Sequence, residues 1–182
     1  FIEQAGDQPW CAHLSYIKPH WPYMAPAPYH AMYGPNHVPP ANRSEAELES
    51  PHPVVAAYMR HEESEAFQRE EVRQTVIPAY MGLVKQIDDH LGRLFAAMEA
   101  QGRMDDTMIV FTSDHGDYLG DHWLGEKELF YEPSIRIPLI ISDPEAPASR
   151  RGVREQRLVE SIDLVPTFLG AHSVPREYKG RK

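Results

Sequence analysis

Ser113-Asp114-His115-Gly116-Asp117 places a carboxylate and an imidazole side by side, next to a glycine and directly after the apolar run Thr107-Met-Ile-Val-Phe-Thr112. Both side-chain types bind divalent cations. From irregular backbone at a strand end, both can aim at one ion. The same residues also suit an ordinary turn, with Asp114 capping the backbone that follows and His115 a polar loop residue. Lys127 follows through the glycine- and histidine-containing stretch Leu119-Gly120-Asp121-His122. If that stretch returns toward the strand end, its ammonium comes near the metal and makes an anion site for a sulfuryl or phosphoryl group. Otherwise it is a solvated surface lysine. A second cluster, Lys18-Pro19-His20-Trp21-Pro22-Tyr23, holds a lysine and a histidine among prolines that restrict the backbone, as a site requires. It reads equally as a rigid aromatic turn with surface charges.

The elements that would position these residues follow from pattern. Residues 9–17 are a short apolar and aromatic run that predicts a buried strand, ended by Lys18-Pro19. From Lys18 to Pro53 no period repeats, and such a long stretch inside a domain is usually functional or a lid. The charges of residues 54–74 predict a solvated helix. Val72, Val76, Tyr80, Leu83, Val84, Ile87, Leu91, Leu94, Phe95 and Met98 recur at spacings of three and four, a helix stripe facing a core. Pro78 lies inside the stripe, so the helix starts or kinks there, and Gly102 ends it as a C-terminal cap. Strands are expected at 107–112 and 137–142, a loop over 143–152 and an amphipathic helix over 159–170. The long helix feeding an apolar strand gives an α/β class, with about three strands in view. In such sheets ligands bind outside the carboxyl ends of the strands, where Asp114 and His115 stand.

Composition narrows the partners. The 182 residues are 42% hydrophobic and 25% charged, enough to bury a core. With 27 acidic against 18 basic residues, the formal charge of -9 argues against nucleic acid while leaving room for one local anion pocket. No run approaches the roughly 18 apolar residues of a membrane span. A single cysteine, Cys11, excludes an internal disulfide framework and gives no hint of secretion. The 17 prolines mark long shaped loops, and the 10 histidines raise the expectation of metal or phosphate-like chemistry. The chain opens on Phe1 and shows no signal peptide, so a piece of a longer protein with a cytoplasmic location is the expectation.

Four segments in order carry a resemblance: Lys-Pro-His-Trp-Pro-Tyr at 18–23, Thr-Ser-Asp-His-Gly-Asp-Tyr-Leu-Gly-Asp-His at 112–122 followed by Lys127, Glu-Pro-Ser-Ile-Arg-Ile-Pro-Leu-Ile at 132–140, and Ser-Ile-Asp-Leu-Val-Pro-Thr at 161–167. Together they resemble the sulfatase family of the alkaline phosphatase superfamily, nearest its phosphonate monoester hydrolase and arylsulfatase branch, over about residues 13–175. The resemblance implies an α/β fold with a sheet sandwiched by helices, residues 1–182 being the C-terminal portion of the catalytic domain without its N-terminal, nucleophile-bearing half. It implies a metal-dependent hydrolase of sulfate monoesters or of phosphonate or phosphate esters, with a small-molecule ester as partner. Asp114 and His115 match metal ligands, and Lys127 matches the lysine at the substrate's non-bridging oxygens and leaving group. His20 matches a histidine serving the leaving group or the nucleophile, and Lys18 supports substrate binding beside it. Many members have an amide at the place of His115 and use calcium; the imidazole here points to Mn²⁺ or Zn²⁺ ahead of Ca²⁺ or Mg²⁺. His122 and Tyr23 take no assigned role, and Arg136 and Asp163 read as structural. The family's nucleophile is a formylglycine made from Cys or Ser within a Cys/Ser-x-Pro-x-Arg segment. Cys11 is followed by Ala-His-Leu, and Ser173-Val-Pro-Arg176 has its arginine one place early, so neither fits. Two alternatives therefore stand: a non-catalytic fragment keeping the fold and weak anion or metal binding, and a metal phosphodiesterase or phosphoglycerate mutase relative. Aromatic loop text such as Tyr29-His-Ala-Met-Tyr33 could serve an interface between copies.

Overall fold

The helix stripe becomes one long helix in the computed structural model, which describes residues 1–6 and 8–171. Helix α5, Glu70–Ala100, carries Pro78 in its interior and buries Ile77, Pro78, Gly82, Leu83 and Met98. It begins well before Pro78, contrary to one sequence expectation. Proline removes a single ladder hydrogen bond, and burial of that face offsets the loss. Gly102, at φ 67°, closes the helix: its N–H donates to Glu99 O at 2.9 Å and the Arg103 N–H to Met98 O at 2.9 Å. That pair of bonds is a Schellman cap, and it needs the left-handed conformation glycine adopts freely.

Ahead of α5 come α1 (Ile2–Ala5), the 3₁₀ turns Tyr29–Ala31 and Pro35–His37, α2 (Ala46–Glu49), α3 (Pro53–Met59) and α4 (Glu62–Gln68). Two corrections belong here. Residues 9–17 form no strand; Leu14 and Ile17 are exposed, and among the described residues no strand pairs with the segment. An apolar run forms a strand only where a neighbour satisfies its backbone. The single solvated helix expected over 54–74 is instead α3, α4 and the first turn of α5, broken where His61 and Arg69 turn extended. It is not merely solvated, since Met59, Ser64 and Phe67 are buried.

Strands β1 (Ile109–Thr112) and β2 (Leu139–Ser142) form where apolar β-branched runs predict them, and they pair antiparallel, Thr112 opposite Leu139 and Ile109 opposite Ser142. Among the described residues the sheet has these two strands; the expected third, at 9–17, is not in it. The register has a direct consequence: segment 113–138 leaves the ladder and returns to it at one point. Thr112 Oγ1 donates to Pro138 O at 2.9 Å across that neck. The segment includes the 3₁₀ turn Asp121–Trp123 and the short helix α6, Glu132–Ile135. It folds over a core of Met59, Tyr118 and Leu124, against which Val55, Tyr58, Trp123, Leu129 and Tyr131 pack. Burying each such side chain stabilises by about 1.5–3 kcal/mol.

The residues divide into two compact units, Phe1–Pro144 and the part from Glu145. The second contains the 3₁₀ turns Ala148–Arg150 and Ser161–Asp163 and helix α7, Leu164–Ala171. Asp163 accepts the Glu160 N–H at 2.9 Å, a capping bond. Residues 173–176, considered above as a nucleophile segment, and the polar tail after Pro175 lie outside the described residues.

Candidate active site

His20 and Lys127, more than a hundred positions apart, meet. Lys127 Nζ lies 3.1 Å from His20 Nε2, and His20 Nδ1 lies 2.9 Å from the carbonyl oxygen of Trp21. A carbonyl only accepts, so Nδ1 carries the imidazole proton and Nε2 accepts from the ammonium. Lys18 Nζ donates to His20 O at 3.1 Å and to Pro22 O at 2.6 Å. It thus closes the 18–23 turn and holds the backbone of His20. Beside Lys127 stands the largely buried Glu126, with Oε2 3.5 Å from Nζ, a charge partner that sequence reasoning missed. Its only sequence signal is adjacency.

Asp114 and His115 stand two and three residues beyond β1. The Asp114 side chain is 84% exposed, and its Oδ2 lies 3.5 Å from His115 Nε2. His115 Nδ1 donates to Gly116 O at 2.8 Å, which leaves Nε2 with its lone pair on the carboxylate side. A backbone carbonyl that fixes the tautomer of a ligand imidazole is a common support in metal sites. Partial burial raises the Asp114 pKa, but the His115 ring and the backbone and Ser113 hydrogen bonds outweigh it and hold the carboxyl below its usual range. One anionic oxygen and one imidazole nitrogen together fit two ligands of a divalent cation. Among the described residues no group of three or more His, Cys, Asp or Glu could hold an ion, so further donors must come from elsewhere.

The supports explain residues whose roles spacing alone could not show. A Cβ on Gly116 would lie 1.9 Å from Pro133 O, and the Gly116 N–H donates to Ser134 O at 2.7 Å. Buried Ser134 also donates its hydroxyl to Lys127 O. Helix α6 therefore seats the Asp114–His115 turn and the lysine on one anchor. Arg73, 2% exposed, reads in sequence as one more helix charge. It donates to Leu119 O at 3.1 Å and Pro39 O at 3.0 Å and pairs with Glu70 at 2.8 Å, clamping the loop that leads to Lys127. His122 pairs with Glu47 at 2.6 Å and stacks on Tyr131 at 4.3 Å, a structural role. Arg136 is exposed and pairs with Glu132 at 3.6 Å. The lysine-bearing loop also holds five non-glycine residues at positive φ: Leu119, His122, Trp123, Glu126 and Leu129.

Residues 1–174 match the family model named Sulfatase. The chain belongs to the sulfatase family. It is 39% identical over its whole length to the multifunctional alkaline phosphatase superfamily protein PehA of Trinickia caryophylli, covering 38% of that protein. It is 28% identical, over 96% of its length, to an arylsulfatase of Clostridium perfringens, covering 36% of that protein. Among solved structures it resembles the phosphonate monoester hydrolase SpPMH from Silicibacter pomeroyi, with TM-score 0.80, 35% identity, and coverage of 98% of this chain and 37% of that one. It also resembles the phosphonate monoester hydrolase of Agrobacterium radiobacter, with TM-score 0.71, 34% identity, and coverage of 79% and 31%. The alkaline-phosphatase-like α/β class holds. The chain spans less than two fifths of the length of these sulfatase-family relatives.

Proposed function

We propose that this chain is the C-terminal portion of the catalytic domain of a metal-dependent ester hydrolase. The enzyme would act on small-molecule sulfate monoesters or on phosphonate or phosphate esters. The observation that carries the reading is the 3.1 Å contact between Lys127 and His20, brought together from two loops. Phosphonate monoesters come first among substrates, because both solved structures described above are phosphonate monoester hydrolases. Asp114 and His115 would hold a divalent cation, Mn²⁺ or Zn²⁺ ahead of Ca²⁺ or Mg²⁺ given the nitrogen donor; when bound, it supplies Lewis acidity toward an oxygen of the transferring group. Lys127 meets the remaining oxygens as negative charge builds on them. The Lys127–His20 pair shares the ammonium proton, which Lys127 Nζ donates to His20 Nε2, and that proton passes to the leaving oxygen as the S–O or P–O bond breaks. Glu126 complements the ammonium, and Lys18 fixes the His20 backbone. The formylglycine nucleophile of the family would come from a segment outside these 182 residues.

The test is Lys127→Ala in the protein carrying its complete catalytic domain, assayed on aryl sulfates and aryl phosphonate monoesters. Loss of a charge contact made in the transition state lowers kcat/KM by about a hundred- to a thousandfold, roughly 3–4 kcal/mol. Melting falls by only a few degrees, the effect of leaving Glu126 without its cation. Near-normal turnover removes Lys127 from the chemistry and returns it to a surface role.

A further inference from the structure

Besides the Lys127–His20 contact, a hydrogen bond joins the 18–23 turn to the 113–119 turn at matching positions. Tyr23 stands three residues after His20, and Asp117 three residues after Asp114. The Tyr23 hydroxyl donates to Asp117 Oδ2 at 2.7 Å. Asp117 Oδ1 accepts the Leu119 N–H at 3.1 Å, so the carboxylate is held from both sides. The tyrosine ring is itself anchored, edge-on to Phe67 at 6.1 Å and tilted against Tyr80 at 6.3 Å. The His20 loop is therefore fixed to α4 and α5 on one side and to the metal-ligand turn on the other. Tyr23 and Asp117 are both partly buried, and a hydrogen bond shielded from water has more effect than one at the surface.

We propose that Tyr23 and Asp117 are a positioning couple: their hydrogen bond sets the Lys127–His20 pair at the distance from Asp114 and His115 that proton delivery to the leaving oxygen requires. Neither touches the reacting atoms. Tyr23 acts through His20, and Asp117 acts through Tyr23. No other side-chain hydrogen bond described in the structure runs from the 18–23 turn to the 113–119 turn. The inference rests on the reading given under Proposed function.

The couple is tested in the protein with its complete catalytic domain, on a series of esters whose leaving groups run from nitrophenols to simple alcohols. Tyr23→Phe keeps the ring and its packing and deletes one hydroxyl. The expected result is a kcat loss of roughly ten- to thirtyfold on alkyl esters, which need the proton, and of threefold or less on nitrophenyl esters, which do not. KM and bound metal stay as in wild type. The loss does not add to that of His20→Ala, because both act on one step. Asp117→Ala reproduces it, and Asp117→Asn, which keeps an oxygen and gains an amide for the two contacts, recovers most of it. An equal loss across all leaving groups, or one that adds fully to His20→Ala, makes the bond a stability contact and overturns the proposal. If His20→Ala itself leaves rate and leaving-group dependence unchanged, the reading beneath fails and takes the proposal with it. A strong His20→Ala effect with an unaffected Tyr23→Phe protein overturns the couple alone.

Discussion

Asp114 is an exposed carboxylate with the His115 imidazole beside it. A group so open to water contributes little to folding, so its replacement reads out binding. In the protein with its complete catalytic domain, Asp114→Ala is expected to lower bound transition metal from about one ion per chain toward zero, with melting of the metal-free protein within about 0.5 kcal/mol of wild type. Elemental analysis of both proteins after dialysis measures this, and equal metal content removes Asp114 from the ligand set. At this scale the sequence offered candidate residue types but not their partners. Asp114 and His115 are neighbours in the chain, so their adjacency was legible from the motif. His20 and Lys127 meet through two loops, and a contact between loops has no period to betray it. Arg73 was illegible for a related reason: its carbonyl acceptors, Leu119 and Pro39, belong to segments without regular structure.

Helix α6 is a single turn, yet it decides where two parts of the site sit. Gly116 lies so close to the Pro133 carbonyl that a methyl group finds no room. Gly116→Ala must push α6 away, breaking the Gly116–Ser134 bond and moving Lys127, whose carbonyl Ser134 holds. Overpacking against backbone of this kind costs about 2–3 kcal/mol. In the protein with its complete catalytic domain, denaturant unfolding is expected to show a loss of that size together with loss of turnover. An alanine protein as stable as wild type would mean that α6 is not a rigid anchor. Elements with strong local signals were legible: α5 from spacings of three and four, its end from Gly102, and β1 and β2 from apolar runs bounded by polar turns. The 9–17 run was misread because apolarity alone does not distinguish a strand from a segment awaiting a partner. The antiparallel register of β1 and β2, and with it the closed neck of segment 113–138, was not legible, since pairing is set by neighbours rather than by either strand.

For the molecule as a whole, Phe111, Ile140 and Ile141 on the two strands and Leu14 and Ile17 on the 9–17 segment are exposed. Apolar surface of this extent is costly in water and marks faces that pack against something. The two proposed metal ligands are likewise too few to hold an ion tightly by themselves. These 182 residues alone are therefore expected to give no metal-dependent hydrolysis of aryl sulfates or aryl phosphonates above a buffer blank. Chromogenic assay of the purified chain, with and without Mn²⁺ or Zn²⁺, checks this; clear turnover would mean that the nucleophile lies within it.

The positive-φ residues between Leu119 and Leu129 bear on heat tolerance. A left-handed conformation costs a residue with a side chain on the order of 1 kcal/mol, and here it recurs five times around Lys127. Glycine would relieve the strain at any of these positions, but it would also remove a ring that stacks, a carboxylate that balances the ammonium, or an apolar side chain that packs on the core. Backbone strain and side-chain contacts are thus traded at the same few positions. A breeder of robust variants would do better to work elsewhere in the chain.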